Sequence, residues 1–439
     1  MKDSGIEWIG EIPEDWSMSR LKALLVERKE KNDPVQTEFI LSLGANYGVI
    51  PYSEKDGGGN KAKEDFTQYK LAYPDDIVMN SMNIVSGSVG LSKYYGCVSP
   101  VYYMFYPRTK DINIRYYHHI FQTKVFQRSL LGLGNGIMMK ESSNGNLNTV
   151  RMRIPVEKLN ALQLPVPSVS EQQKIADFLD EKCKHIDAVL EKTRASIEEY
   201  KQLKQSVITE AVTKGIRPNR PMKDSGIEWI GEIPEDWKIY RLKHVVGIPI
   251  TDGTHNTPTY TDKENGSPFL SSKDITSGHI DWSSIKYITK ELHEQLQKEV
   301  APKLNDILLA KNGTTGIGAL VEDDIVFDIY VTLALIRPNQ SIVLPKFLLY
   351  LINSSLCKIQ YDKHLIGIGV PNLHLNIINN VKVFIPSTKD EQQEIIACLD
   401  DKCSEIDTLI TKKEQLIEEL ETYKKSLIYE YVTGKKEVY

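Results

Sequence analysis

Apolar residues in the last third of each half of the chain keep a strict rhythm. Leu179, Cys183, Ile186, Leu190, Thr193, Ile197, Tyr200, Lys204, Val207 and Ala211 advance by alternating steps of four and three, with charged residues filling most positions between. Leu399, Cys403, Ile406, Ile410, Lys413, Ile417, Leu420, Lys424, Leu427 and Tyr431 do the same. A seam sustained over about four heptads predicts a coiled coil, and its polar members can fix the register. Leu179, Ile186, Leu190 and Ile197, and in the second stretch Leu399, Ile406, Ile410, Ile417 and Leu420, are the expected helix–helix contacts. Each stretch starts just after a proline, Pro167 or Pro386, with Ser170 or Asp390 as the expected N-cap. Roughly 40 residues make a rod of about 60 Å at ~1.5 Å per residue. Such a seam is too long for one domain of about 150 residues to cover, so the two helices are each other's natural partners, and a two-fold arrangement makes them antiparallel.

The stretches ahead of the helices read differently. Short β-rich runs, 101–106 and 325–336, alternate with Gly, Pro, Asn and Asp turns, and one helix-like stretch lies late in each body, 114–130 and 346–360. The chain is also duplicated. Residues 1–16, MKDSGIEWIGEIPEDW, recur unchanged at 222–237; 171–187 align with 391–407, and 204–215 with 424–435. A period this long means duplication of a whole domain, not a solenoid. The segment 213–220, TKGIRPNR, reads as the linker between copies. The expected architecture is mixed α/β (α+β): two domains in pseudo-two-fold tandem repeat, separated by two long antiparallel coiled-coil helices. The expected spans are 1–167 for the first body, 168–215 for the first helix, 216–388 for linker and second body, and 389–439 for the second helix.

Length and composition fit that plan. The 439 residues suit two domains plus extra helix, and 41% hydrophobic with 26% charged residues is a soluble, globular balance. No apolar run reaches the ~18 residues of a membrane helix, and the first residues lack a signal-peptide pattern, so the expected compartment is the cytoplasm. Five cysteines, Cys97, Cys183, Cys357, Cys398 and Cys403, form no C-x-x-C pair and read mostly as buried, reduced thiols. Cys398 and Cys403 are turned about 140° from each other on a helix and cannot share a metal. The net charge of −5 tells against nucleic-acid binding by bulk charge: positive charge must be local, or a partner must supply part of the field.

No enzyme motif emerges. A P-loop, an H-E-x-x-H pair, zinc-spaced Cys/His sets and an Asn-Pro-Pro-aromatic base-binding motif are all missing from the sequence. The glycine cluster 132–136 follows a helix-like stretch, not a strand, and reads as a loop. Glu199 and Lys201 are a solvated pair on the heptad helix. The two bodies share no His, Cys or acidic cluster, so duplicated supports carrying divergent bodies suggest divergent recognition. In the second body, the polar loops 251–258, 271–275 and 311–316 offer Thr254, His255, Thr257, Lys273, Lys311, Asn312 and Thr314 as candidate DNA contacts. Short donors and acceptors on Gly-containing loops can meet base edges and phosphates. Asp252 with Gly253 reads as a turn. The comparable region of the first body offers Asn80, Asn83, Ser86 and Lys93. The stretch 115–119, RYYHH, with Lys124 and Arg128, invites stacking on bases, but helical spacing puts Tyr117, Phe121 and Val125 on one buried face, which favours a structural role.

Taken together, the two-copy plan, the helix opening from Pro167 to Ile175, the loop D-G-T-H-x-T-P (252–258) with F-L-S-S-K-D-I (269–275), and the W-I-G-E-I-P-E-D-W openings (8–16 and 229–237) resemble the specificity subunits of Type I restriction–modification systems, the HsdS family. The resemblance covers the whole chain and is strongest in the openings and helices. It implies two target-recognition domains, each reading half of a split, asymmetric site on double-stranded DNA, with the helices setting the gap. It implies two methyltransferase subunits docked on the helical regions and motor-nuclease subunits as further members of the complex, with no membrane involved. It also implies a non-catalytic chain holding no cofactor and no metal: S-adenosylmethionine for adenine methylation would sit in the methyltransferase partner, ATP and Mg in the motor partner. Partners that wrap the duplex would account for the acidic total. Other classes remain open at this point: a self-sufficient DNA methyltransferase or nuclease with an unrecognised site, and a protein-only scaffold built on the coiled coil.

Overall fold

Both heptad stretches fold as single unbroken helices, Val169–Lys214 and Lys389–Val432. This computed structural model describes residues 1–45, 47–55, 62–136, 140–141, 147–148, 152–228, 230–365 and 371–438. Trp229 of the second opening lies outside them; its counterpart Trp8 meets Phe126 edge-on, ring centroids 5.8 Å apart. The helices start earlier than the expected caps. Ser168 accepts the Glu171 amide at 3.3 Å and Thr388 that of Glu391 at 3.3 Å, while Ser170 and Asp390 already lie inside the first turn. Only the residue just ahead of the first helical turn can reach the third amide, which is why Ser168 and Thr388 cap. The first helix also runs on through Thr213 and Lys214, so the connection begins at Gly215, whose φ of +72° ends the helix in the left-handed region.

Packing divides the chain into two compact units, residues 1–193 with 415–439, and residues 194–414. Each unit holds one body, the start of the helix that follows it and the last part of the other helix. The units cut across both long helices.

In the first unit, the strands Leu25–Arg28, Tyr102–Pro107, Ile77–Asn80 and Val89–Leu91 form an antiparallel sheet in that order. Side chains alternate between its faces. Ile77, Met79, Tyr103 and Phe105 join Tyr116, Tyr117, Ile120 and Phe121 of the helix Ile114–Gln122 in the main core, while Val78 and Met104 pack with Leu41, Leu43 and Val49 on the other side. Ile175, Ala176 and Leu179 of the long helix belong to that main core, and so do Leu427 and Val432 of the other long helix. Within this unit Phe178 meets Tyr431, centroids 4.5 Å apart, and Lys424 donates to Asp187 at 2.6 Å. Numbers rise along one helix as they fall along the other, so the pair is antiparallel.

The second unit repeats the sheet: Thr251–Asp252, Leu333–Ile336, Ile307–Ala310 and Gly318–Leu320, antiparallel, in the same topological order. It adds a second sheet, Tyr260–Thr261, Lys286–Thr289, Gly266–Leu270 and Asp328–Ile329, covered by the helix Lys290–Glu299. Here Lys204 donates to Asp407 at 2.6 Å and the Lys413 ammonium lies 5.6 Å from the Tyr200 ring, again antiparallel.

Three expectations in the bodies change. The 114–130 stretch breaks at Thr123, which ends one helix and caps Lys124–Ser129 by accepting the Phe126 amide at 3.3 Å; the break leaves Val125 exposed, off the face of Tyr117 and Phe121. The 346–360 stretch breaks at Asn353 and Ser354 into Pro345–Ile352 and Ser355–Asp362, Asn353 turning its side chain to Gly318. Residues 325–336 are two strands in different sheets, Asp328–Ile329 and Leu333–Ile336, because the chain crosses between sheets at 330–332. The glycine cluster 132–136 enters as a tight turn, Leu131–Leu133, and leaves as a two-residue strand, Asn135–Gly136. Among the described residues, no helix is long and apolar enough to cross a membrane.

Candidate nucleic-acid interface

Both bodies present their candidate loops from the same frame. Ahead of Ile77–Asn80, Asp75 takes a left-handed φ of 65° and Asp76 accepts the Tyr73 amide at 2.9 Å; ahead of Ile307–Ala310, Asn305 takes 71° and Asp306 accepts the Lys303 amide at 2.8 Å. Asp and Asn tolerate that conformation better than other side chains. Each buried carboxylate then binds a guanidinium through two nitrogens, Arg28 on Asp76 at 2.7 and 3.1 Å and Arg337 on Asp306 at 2.8 and 2.7 Å. The Arg28 guanidinium also stacks between Tyr73 and Tyr106, 4.2 and 4.6 Å from the ring centroids. This shared acid stands alone in the sequence, outside any acidic cluster; the common signal is a single Asp followed by an apolar run of at least three residues that begins with Ile. These ion pairs hold the start of the strand that follows each Asp.

The candidates of the first body sit in the connection after Ile77–Asn80 and just beyond the next strand. Asn80 accepts the Met82 amide at 3.0 Å, so its side chain braces the turn. The backbone of Asn83 accepts from Ser86 at 3.0 Å and from Ser88 at 3.1 Å, and Gly87 closes the turn at a φ of +89°. Asn83, Ser86 and Lys93 are exposed.

In the second body the three candidate loops meet around residues 330–332. Ser272 donates its amide to the Thr332 hydroxyl at 3.0 Å, Lys311 donates its amide to the Thr332 carbonyl at 2.9 Å, and Thr254 accepts the Val331 amide at 3.0 Å. Thr332 was not singled out from the sequence, because its partners lie far away along the chain. Asp252 is a strand residue opposite Ala334, not the tip of a turn, and it binds both the Lys311 ammonium and, at 3.2 Å, the His255 ring. Lys311 is buried in that pair, so here it braces the 251–258 loop instead of presenting a free ammonium to phosphate. Gly253 must lack a side chain, since a Cβ there would lie 1.9 Å from the Ile329 carbonyl oxygen. His255 is 73% exposed; Thr257, Lys273 and Thr314 are exposed, while Thr254 and Asn312 are half-buried. Asn312 also keeps a sealed Oδ1 with no hydrogen-bond partner. Lys273 rides on the Ser272–Ile275 turn, which Ser271 and Asp274 close as a reciprocal capping box.

The basic-aromatic stretch is bound up elsewhere. Arg115 donates to Asp177 at 2.6 Å and Asp180 at 2.7 Å, His119 lies 2.8 Å from Asp180, and the Tyr116 hydroxyl donates to the Val432 carbonyl at 2.8 Å. All of these tie the body to the long helices. The second unit does the same with Lys346 on Asp400 at 2.8 Å and Tyr350 on Asp400 at 2.5 Å.

The seam residues behave as a set. Leu179, Ile186, Leu190, Ile197, Leu399 and Ile406 are buried, and Ile410, Ile417 and Leu420 are half-buried. Among the described residues no group of three His, Cys, Asp or Glu is placed to hold a metal. Burial pushes the Cys97 and Cys183 thiols up to about 11, far from a thiolate at neutral pH.

A family model described as "Type I restriction modification DNA specificity domain" matches residues 13–199 and again 234–421. The MjaVIII Type I restriction enzyme specificity subunit of Methanocaldococcus jannaschii is 25% identical over 409 residues, spanning 91% of this chain and 88% of the relative. The EcoBI specificity subunit of Escherichia coli is 27% identical over 264 residues, 58% of this chain and 54% of its own length. Among solved structures, a chain from work on complex assembly and conformational transition of a type I R-M system superposes with a TM-score of 0.71 at 15% identity, covering 97% of this chain and all 100% of that one. The HsdS subunit of Thermoanaerobacter tengcongensis gives 0.52 at 15% identity, with 99% and 100% covered.

Proposed function

This chain belongs to the Type I restriction modification DNA specificity family, and from that membership we propose how its parts divide the work of recognition. The chain is a DNA-recognition subunit of a Type I system. Each body reads one half of a bipartite, asymmetric target, and the long helices fix the gap and carry two methyltransferase subunits. Adenine methylation then uses S-adenosylmethionine held by the methyltransferase partner, and any cleavage uses ATP and Mg in motor-nuclease partners. Asn83, Ser86 and Lys93 in the first body, and His255, Thr257, Lys273 and Thr314 in the second, are the exposed side chains that would meet DNA. The observation that carries this reading is one sheet order in both bodies, with an arginine-paired Asp at the same position although the arginine comes from different strands, bearing loops that differ in length and side chain. A shared frame with unlike loops suits two unlike half-sites.

The test is a body exchange. Residues 17–150 are replaced by the matching body of another family member, and methylated bases are sequenced in cells that also carry the methyltransferase subunit. One half of the methylated motif should change and the other should persist. A change in both halves would end the modular reading, and methylation by the purified chain alone would favour a self-sufficient enzyme.

A further inference from the structure

We infer that a cavity on the first body is a seat for a phosphodiester group of bound DNA, an inference that rests on the DNA-reading role proposed above. The cavity, about 420 Å³, is walled by Lys29, Lys70, Arg153 and Asn135, with Glu27 and Glu157 at its edge. Lys70 donates to the Tyr102 carbonyl at 2.8 Å and its ammonium lies 5.6 Å from the centroid of the Tyr103 ring, which fixes it beneath the opening. Lys29 is 76% exposed and touches Glu27 at 3.4 Å; Arg153 and Asn135 are exposed. Three cations thus converge on one concavity against two acids, in a chain whose total charge is −5. Burial holds the Lys70 amine below its ordinary value; Glu27 offsets this in part, while Arg153 and Lys29 add to the depression. A bound anion would relieve that repulsion.

The second body shows that the fold does not need these charges. Register places Arg28 opposite Met104, so Lys29 comes next, at the level of Tyr103; the matching position of the second body, opposite Ala334, is Asp252. Likewise the Ser81 carbonyl accepts the Ile154 amide at 2.9 Å, and the Lys311 carbonyl accepts that of Leu373 at 2.7 Å, so Arg153 corresponds to Asn372. At the same place in the same frame, the second body has an acid, an amide and a lysine locked onto the acid. The seat lies at the sheet end from which the loop with Asn83 and Ser86 leaves. A phosphate held there would fix the register of the backbone against that loop without reading a base.

The experiment uses the full chain assembled with its methyltransferase subunits. Affinity is measured against KCl concentration on a duplex carrying the methylated motif and on an equal duplex with the first half-site scrambled. Lys29→Ala and Arg153→Ala should each weaken both duplexes by the same factor and flatten the log–log salt slope, by about 0.9 for each phosphate that is no longer neutralised. Lys110→Ala, an exposed cation of the same body outside the cavity, should leave the slope unchanged. Slopes equal to wild type would overturn the inference. So would an equal loss with Lys110→Ala, which indicates a diffuse field, or a changed base preference, which indicates base contact. Binding of inorganic phosphate that the variants abolish while DNA affinity stays the same would mark a small-anion site and also overturn it. Failure of the wild-type complex to bind either duplex would instead sink the DNA-reading role itself.

Discussion

Adjacent glutamines at the start of each long helix allow one physical claim to be tested against a built-in control. Gln392 is 1% exposed; its Oε1 accepts the Leu344 amide at 2.8 Å and its Nε2 donates to the Ile342 carbonyl at 3.0 Å. It therefore satisfies the residue that precedes the body helix Pro345–Ile352 and joins that helix to the long one. Gln172 does the same for the Asn113 amide at 2.9 Å and the Pro167 carbonyl at 3.0 Å. Gln393, next in sequence, is exposed. Replacing Gln392 by leucine keeps the volume but orphans one buried donor and one buried acceptor, each at ~1–3 kcal/mol, so a loss of about 2–4 kcal/mol is expected after partial relaxation. Gln393→Leu, on the surface, should stay within about 0.5 kcal/mol. Urea unfolding followed by circular dichroism reads the difference as a midpoint shift at constant slope. Gln172→Leu should cost a similar amount, and because the two glutamines belong to different compact units the losses should add. Equal midpoints for Gln392→Leu and Gln393→Leu would refute the account of the EQQ motif as a buried splice.

Four shorter predictions use other parts of the molecule. Lys311→Met leaves the half-buried Asp252 without its cation and should cost about 3 kcal/mol, whereas Asp252→Asn with Lys311→Met should recover much of it; a purely additive double-mutant cycle would count against the pair. Gly253→Ala pushes a methyl onto the Ile329 carbonyl and should alter methylation of the second half-site alone, read by sequencing methylated bases. His118, whose Nε2 is sealed without a hydrogen-bond partner, is pushed down to about 3 by burial and by His119, so it stays neutral in the folded protein while the unfolded chain protonates near 6.5. Stability should consequently fall as pH drops from about 6.5 toward 3, by up to ~1.4 kcal/mol per pH unit, and His118→Phe should flatten that stretch of the stability–pH curve. Inserting four residues within 188–205 turns the downstream seam by about 40° and advances it ~6 Å; the methylated motif should change its spacing or the complex should fail to assemble, and an unaltered motif would contradict the spacer role.

How much could be read from the chain follows from where each signal lives. The long helices were legible because a period of 3.5 held over about four heptads leaves little competing structure; of the nine expected contacts six are buried and three half-buried. Their caps were misplaced by two residues because Ser168 and Ser170 are equally good capping types, and only the backbone decides which one stands outside the first turn. The breaks at Thr123 and Ser354 were hidden because apolar residues resume only two positions on, at Val125 and Leu356. Residues 325–336 looked like one strand because composition cannot tell which of two sheets a residue joins. Convergence of three loops on Thr332 depends on pairings between distant strands, and nothing local announces it. The buried glutamines were visible only as a motif: a residue type that is usually exposed gives no hint that it is spliced into a core.

The hidden likeness of the bodies explains how two unlike readers can share one plan. Burial dictates the four-stranded sheet, and the clamps Asp76–Arg28 and Asp306–Arg337 fix where its second half begins, so the connection that follows always leaves from the same place. That connection contributes little to the core: Asn83 and Ser86 in one body, and Gly313 and Thr314 in the other, are exposed. Changing such residues costs little stability, because the energy that holds the strand lies in the buried pairs behind it. On the reading proposed above, substituting these loops would give a new target while the helices and their attachments at Asp180 and Asp400 stay as they are. The second body shows the limit of that freedom. Its 251–258 loop is held by Lys311 from beneath and by the close approach of Gly253 to Ile329, so on the same reading a new target there would require changes to the brace as well as to the side chains it presents.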